Sequence, residues 1–315
     1  MFESVRGLMR KRFYTECVFM MIWLCSSFWI LPTPLWAQTI PEITAEAAVM
    51  LDLDTGEVLY GKNEHEQRPP ASLTKVMTGY LAVKEPDRMQ QTVTVSEQAA
   101  NTGESSLNLK TGDILTFEHL LYGALLKSAN DACVAIAEHI TGSEDAFVDN
   151  MNLQACLLGC ANTHFENTNG LPAEQHYSSA YDLAVMTRAA MQEPVFAQIV
   201  QTQKHMVSWQ DGRKLLVHNT NRLLREYPGA IGVKTGTTNE AGQCLIAVAE
   251  KAEKRVAVVV LKSKNRFYDA TVLLDYALQD TDEQINLAES DDLKACADSV
   301  ILSEETGIHI TKMIL

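Results

Sequence analysis

The sequence predicts an α+β domain in which helices pack on a sheet completed by both ends of the chain. Strand-like runs cluster near residues 47–60 and 204–262, while helical periods fill the middle. No repeat, low-complexity block or linker divides residues 38–279. Composition agrees, because 46% hydrophobic and 21% charged residues in a chain of 315 are ordinary for a globular protein and exclude disorder.

In chain order, residues 47–54 run apolar, Thr55-Gly56-Glu57 turns the chain, and residues 58–60 return, which is a hairpin pattern. Helical periods follow over 72–83, 117–126, 129–140, 146–158, 179–191 and 266–278. Strands return at 204–209, 214–218, 242–249 and 255–262. Residues 280–315 differ from the rest: nine acidic and two basic residues with no sustained period form an acidic C-terminal tail, too short for a domain.

The first 37 residues read as a signal peptide. Arg6, Arg10, Lys11 and Arg12 precede an uncharged apolar stretch from Cys17 to Leu31, and Ala37 stands before Gln38 as the expected cleavage site. An uncleaved anchor is the alternative; in either case residues 38–279 are expected outside the cytoplasm, in the periplasm or cell-wall space. Cleavage takes the formal charge from −14 to −16, because four basic and two acidic residues leave. So acidic a body does not bind nucleic acid through its net field. Of seven cysteines, five remain: Cys133, Cys156, Cys160, Cys244 and Cys296. An odd number argues against a complete disulfide framework, and Cys156 and Cys160 stand four apart in an expected helix, where bridging is awkward. They read as small core residues. No spacing resembles a metal site.

Three short elements carry chemistry. Ser72-Leu-Thr-Lys75 follows Pro69-Pro70 and opens a helix, so the hydroxyl and the amine share a face in its first turn. A lysine partly removed from water can be neutral enough to take the serine proton. Alone the pattern equally suits a capping serine beside a solvated lysine. Ser128-Ala-Asn130 lies at a junction of two helices, where a hydroxyl could relay a proton and an amide could meet a substrate carbonyl; a helix cap is the plainer alternative. Lys234-Thr235-Gly236, followed by Thr237, is expected on an exposed strand beside a cleft, where an ammonium and a hydroxyl can hold a carboxylate. Glycine there lets a peptide lie against the strand. Rival copies exist at Ser106-Leu-Asn108 and Lys110-Thr-Gly112. The first lacks a following amphipathic helix, and the second reads as a turn running into Asp113.

In this order the three elements resemble the penicillin-recognising serine acyl-transferases. Within them the chain looks most like the D-alanyl-D-alanine carboxypeptidases, the low-molecular-mass penicillin-binding proteins. Further matches are 109–113, 120–133, Asn169-Gly-Leu-Pro172 and 176–184, so the resemblance spans about residues 42–279. It implies a β-lactamase/transpeptidase-like fold, an antiparallel sheet flanked by helices with an all-helical subdomain. It also implies removal of the terminal D-alanine from peptidoglycan stem peptides ending in D-Ala-D-Ala, with no cofactor and with β-lactam antibiotics as inhibitors. Ser72 would be the nucleophile, Lys75 its base, Ser128 a proton relay and Asn130 a substrate ligand. Lys234 and Thr235 would hold the terminal carboxylate, the N–H groups of Ser72 and Thr237 would form the oxyanion hole, and Arg266 would add positive charge. Cys133 matches a family cysteine, although a packed core thiol is the simpler reading.

Two departures from the family pattern stand out. The β-rich second domain and amphipathic C-terminal membrane anchor of many members do not fit the acidic residues 280–315, and Ala129 replaces a frequent glycine. A class A-type β-lactamase needs a carboxylate to activate water; Glu166 lies in the right region, but its context, 165–171, matches the carboxypeptidase loop. A D,D-endopeptidase acting on cross-links is a further alternative. The complete set of polar site residues argues against a catalytically silent binding module.

Overall fold

The computed structural model describes residues 41–278. β1 (Ala47–Asp52) and β2 (Val58–Lys62) form the expected hairpin, and a 3₁₀ turn (Ala71–Thr74) leads into α1 (Lys75–Val83). β3 (Thr92–Thr94), α2 (Glu97–Ala100) and β4 (Ile114–Thr116) follow. α3 (Phe117–Tyr122) then widens into a π turn (Gly123–Lys127) before α4 (Asn130–Thr141) and α5 (Glu144–Leu157). α6 (Ala180–Met191), α7 (Pro194–Gln201), β5 (Lys204–Ser208), β6 (Lys214–His218) and α8 (Leu223–Glu226) return the chain to the sheet. β7 (Ala230–Thr238), β8 (Gly242–Lys251), β9 (Lys254–Ser263) and a helix over 266–278, α9, complete it.

The main sheet has the order β2-β1-β9-β8-β7, antiparallel throughout, so the first strand pairs with the last as expected. Its inner strands are apolar at nearly every position because both faces are covered. Val49, Ile246 and Val259 face the core beneath α1, α4 and α6, whereas Met50, Leu245 and Val258 face the layer that α9 covers with Ala270, Leu273 and Leu274. Serine and threonine caps set where helices begin: Ser96, Thr116, Ser143 and Ser179 each accept from the backbone N–H three residues on. The Ser143 cap starts α5 at Glu144, two residues before the expected start.

Several sequence expectations need correction. β5 and β6 form a two-stranded ribbon of their own, as do β3 and β4, whose three residues are too few to show alternation. α7 begins on Pro194 and buries Phe196, Ile199 and Val200, a helical period only eight residues long that the sequence reading leaves unassigned. Cys156 is exposed on α5 rather than packed in the core, and Cys160 lies beyond the end of that helix, so the two share no helix. Cys133, Cys160 and Cys244 are buried as expected. The signal peptide, residues 280–315 and Cys296 lie outside the described residues. Among the described residues no helix is long and apolar enough to cross a membrane.

Asp131, fully buried at the start of α4, is the bolt between the helical layer and the loop before β4. Its carboxylate accepts from Ser106 Oγ (2.6 Å) and from the N–H groups of Leu107, Leu109 and Ala132. That is where the rival Ser-x-Asn copy sits: Ser106 is spent on Asp131. Asp131→Ala strands three buried N–H groups, so we expect a loss of about 2–4 kcal/mol and a Tm lower by roughly 5–15 °C, measured by circular dichroism melting. A shift under about 2 °C would contradict this role.

Candidate active site

The Ser72 turn is held from three sides. Gly170 has φ +87° and approaches so closely that a Cβ there would lie 1.9 Å from the Ala71 carbonyl oxygen, so only glycine fits. Gly236 on β7 lies against the turn from the sheet, where a Cβ would stand 3.1 Å from both Pro70 O and Ser72 N. From below, Thr74 Oγ1 donates to Ala71 O (2.9 Å) and accepts from His176 Nε2 (2.8 Å), while His176 Nδ1 accepts from the Glu166 N–H (3.0 Å). This wiring requires neutral, Nε2-protonated imidazole. Ala71 and Ser128 hold left-handed backbone conformations (φ 49° and 67°) that non-glycine residues adopt at a cost, as functional turns often require.

Lys75 has no exposed surface, yet its amine has three partners: Ser72 Oγ (2.9 Å), Asn130 Oδ1 (2.8 Å) and the Asn169 carbonyl (2.5 Å). Two of these oxygens can only accept. When Lys75 is neutral, its two N–H bonds therefore go to Asn130 and Asn169, and its lone pair is left facing the Ser72 hydroxyl, the one partner able to donate. Burial pulls the Lys75 pKa down to about 8, against which the nearby carboxylates of Glu104 and Asp131 push upward. Burial conversely raises the Cys133 thiol to about 11, which keeps it a protonated core group donating to Ala129 O.

The sequence elements converge as expected, with differences in detail. Asn130 spans the site, its Nδ2 donating to Gly103 O (2.9 Å) while Oδ1 serves Lys75, which leaves one amide N–H for a ligand. Ser128 caps the π turn, and its hydroxyl makes no hydrogen bond among the described residues. β7 is the sheet edge, as the cleft-side strand should be, but Lys234 and Thr235 are buried rather than exposed. Burial first, and then the charge of Lys75, hold the Lys234 pKa well below the ordinary lysine value. Thr237 is exposed; its Oγ1 donates to Gly236 O and accepts from Arg266. Arg266 Nη1 also reaches Gly236 O (2.7 Å) and Cys244 O (3.3 Å), bracing this end of β7, and its Nε is buried with no partner.

Sequence reasoning missed three supports. The Asn169 carbonyl is a backbone group and leaves no side-chain signature. Thr220 bridges the helical and sheet sides: its N–H donates to Leu126 O and its hydroxyl meets Thr235 Oγ1 at 2.7 Å. Lys127 Nζ holds Ser106 O (2.5 Å) beside the Ser128 turn. Glu166 is exposed and its carboxylate accepts from Gln175 N–H (2.7 Å), so it is not among the partners of Lys75 or Ser72.

The buried lysine aimed at a serine thus meets the Ser-x-Asn element directly and stands beside the edge strand that carries the Lys-Thr-Gly element. The chain belongs to the D-alanyl-D-alanine carboxypeptidase family, whose profile matches residues 35–265. It is 42% identical over 240 residues to the D-alanyl-D-alanine carboxypeptidase DacF of Bacillus subtilis, covering 74% of this chain and 62% of that protein. It is 39% identical to DacD of Escherichia coli K12, covering 76% and 64%. The chain thus spans slightly less than two thirds of these curated relatives. A D-alanyl-D-alanine carboxypeptidase structure from Mycobacterium tuberculosis superimposes with TM-score 0.73 at 34% identity over 78% of this chain and 94% of that one. A mutant of Streptomyces K15 DD-transpeptidase does so with TM-score 0.72 at 32% identity over 75% and 98%.

Two outcomes test this geometry. If Lys75 acts as the base toward Ser72, acylation by penicillin, followed as a second-order rate constant, should rise with pH through about 8 and level off above it; a flat profile from pH 6 to 10 would contradict that role. The second concerns stability. Burial depresses the folded His176 pKa to about 4 from an ordinary 6.5, so its contribution is complete above about 6.5 and is lost as pH falls toward 4. His176→Gln should therefore melt below wild type at pH 7, with the gap closing by pH 4; a constant gap would count against the neutral-imidazole wiring.

Proposed function

We propose that the protein is a serine D,D-carboxypeptidase that removes the terminal D-alanine from peptidoglycan stem peptides. The observation that supports this most is the Lys75 amine, whose two obligatory acceptors leave its lone pair for Ser72. In the first step Ser72 Oγ attacks the carbonyl of the penultimate D-alanine and its proton passes to Lys75. The carbonyl oxygen takes the charge, facing the N–H groups of Ser72 and Thr237. Breakdown expels the terminal D-alanine, whose amine takes a proton by way of Ser128. Water then attacks the ester, Lys75 accepts a water proton, and Ser72 regains its own as the shortened peptide leaves. Asn130 would bind the substrate amide with its remaining N–H.

Lys234, Thr235 and Arg266 form the carboxylate-binding side, with Gly236 keeping the strand open to the peptide. A carboxylate arriving beside Lys234 would draw it back to the ammonium form, since an opposite charge offsets burial. Free substrate acid and a charged Lys234 thus enter as a pair. The same site would take β-lactam antibiotics as acylating inhibitors. The Glu166 carboxylate accepts from the Gln175 N–H and makes no hydrogen bond to Lys75 or Ser72 among the described residues, which weighs against its serving as the hydrolytic carboxylate of a β-lactamase. We further propose that residues 1–37 are a leader removed before Gln38, that residues 38–279 form the catalytic domain outside the cytoplasm, and that residues 280–315 are an acidic tail.

Ser72→Ala should abolish the covalent penicillin adduct by intact mass, with wild-type label mapping to Ser72; label on another serine would overturn the assignment, and fast release would revive the lactamase reading. Charge-assisted hydrogen bonds contribute about 1.5–3 kcal/mol, so Thr235→Val and Arg266→Gln should each lower kcat/KM by about 10- to 150-fold on a peptide ending in D-Ala-D-Ala. Amidating that terminus should cost wild type a similar factor and the variants less. Equal cleavage of acid and amide, or a preference for cross-linked dimers, would favour an endopeptidase.

A further inference from the structure

The β5–β6 ribbon has two unlike faces. Its inner residues Val207 and Val217 are buried, and His205 stacks on Tyr122 of α3 with ring centres 3.6 Å apart, so the ribbon is held against the helical layer. Its outer face sets Lys204 opposite His218, and Met206 directly opposite Leu216, with 45% and 43% of their surfaces exposed. Lys214 stands on the same face of β6, opposite Ser208. Neither Lys204 nor Lys214 has a hydrogen-bond or ion-pair partner among the described residues, and the one carboxylate of the ribbon, Asp211 at its tip, is paired with Arg213. Single exposed apolar residues need no explanation. A facing pair flanked by unpaired lysines, on a chain of formal charge −14, is a local reversal of sign.

This face leads into the catalytic cleft. Side chains alternate along a strand, so Lys214, Leu216 and His218 project on one side, and Thr220 follows in the same step and is also exposed. The Thr220 hydroxyl meets Thr235 Oγ1 at 2.7 Å. Leu216 thus stands at most about 14 Å along the chain from the residue that touches the carboxylate-binding side. Under the proposed function, on which this inference rests, the substrate is one stem among many on a polymer strand, and every uncleaved stem ends in alanine methyls and a free carboxylate. We propose that the outer face of β5–β6 is a docking surface for a neighbouring stem of the same strand, with Met206 and Leu216 against its methyls and Lys204 and Lys214 toward its carboxylate. Opposite charges meet there, although the protein as a whole repels a polyanion. A second stem held beside the cleft raises the effective concentration of the first at Ser72 without altering the chemistry.

The experiment compares D-alanine release from a free stem pentapeptide and from soluble, uncross-linked glycan strands carrying many such stems, read as the ratio of kcat/KM per stem. Wild type should favour the strand by about two- to twentyfold at low salt, the range of two exposed ion pairs, and by less in about 1 M salt. Lys204→Glu combined with Lys214→Glu should bring the ratio to about one or below. Met206→Ser combined with Leu216→Ser should lower it as well, and both double variants should cleave the free pentapeptide at the wild-type rate. A wild-type ratio of one, or a lysine double variant that keeps the preference, overturns the docking surface, while continued cleavage of the free pentapeptide leaves the carboxypeptidase reading standing. Cleavage of neither substrate overturns both. If the variants instead lose binding to phosphatidylglycerol vesicles, or lose a dimer seen by sedimentation, with the strand preference intact, the face belongs to a membrane or to a second copy and the proposal fails.

Discussion

Keeping the amine of Lys75 out of water is the constraint around which this molecule is arranged. A buried charge costs several kcal/mol unless it is compensated or neutralised, and here both remedies are used. The oxygens come from three separate parts of the chain: the 3₁₀ turn before α1, the first residue of α4 and the loop at Asn169. Their positions then dictate more. Gly170 must be glycine so that the Asn169 loop can reach the turn, and Asp131 must be buried so that the loop before β4 can close over α4. The burial of one amine thus fixes loop conformations elsewhere in the chain.

The site lies at a seam, with the helical layer supplying the hydroxyl and amide side and the edge strand β7 supplying the other. Thr220 joins the two directly, tied by its backbone to the π turn and by its hydroxyl to Thr235. Arg266 performs a comparable service one residue further along β7, where three oxygens converge on one guanidinium nitrogen. An edge strand normally invites pairing with another chain. Here its free side is bordered by the Ser72 turn at Gly236.

Much of this was legible in the sequence, for identifiable reasons. The sheet strands were readable because runs such as 256–261 are apolar at every position, a pattern only a doubly covered strand tolerates. The three motifs were readable because their chemistry resides in side chains at fixed spacing. What escaped reading was of another kind: the Asn169 carbonyl belongs to the backbone, Thr220 acts through a single bridging hydroxyl, and β3 and β4 are too short to show a period. Cys156 was misjudged because small thiols are usually buried, whereas on α5 it shares an exposed side with Leu153 and Leu157.

The pairing of β1 with β9 has a temporal side. Ala47 finds Leu261 and Asp52 finds Val256, so the middle of the sheet cannot exist until almost the whole domain is available. Contacts between such distant points close slowly, because the entropy of the intervening chain must be given up before any sheet pairing rewards it. The Ser72 turn is pinned by Gly236 on the same sheet, so its geometry depends on a strand more than 150 residues further along the chain. A nascent chain that has not yet released residues 230–263 would accordingly carry Ser72 and Lys75 three residues apart in sequence yet lack the strand that packs against their turn.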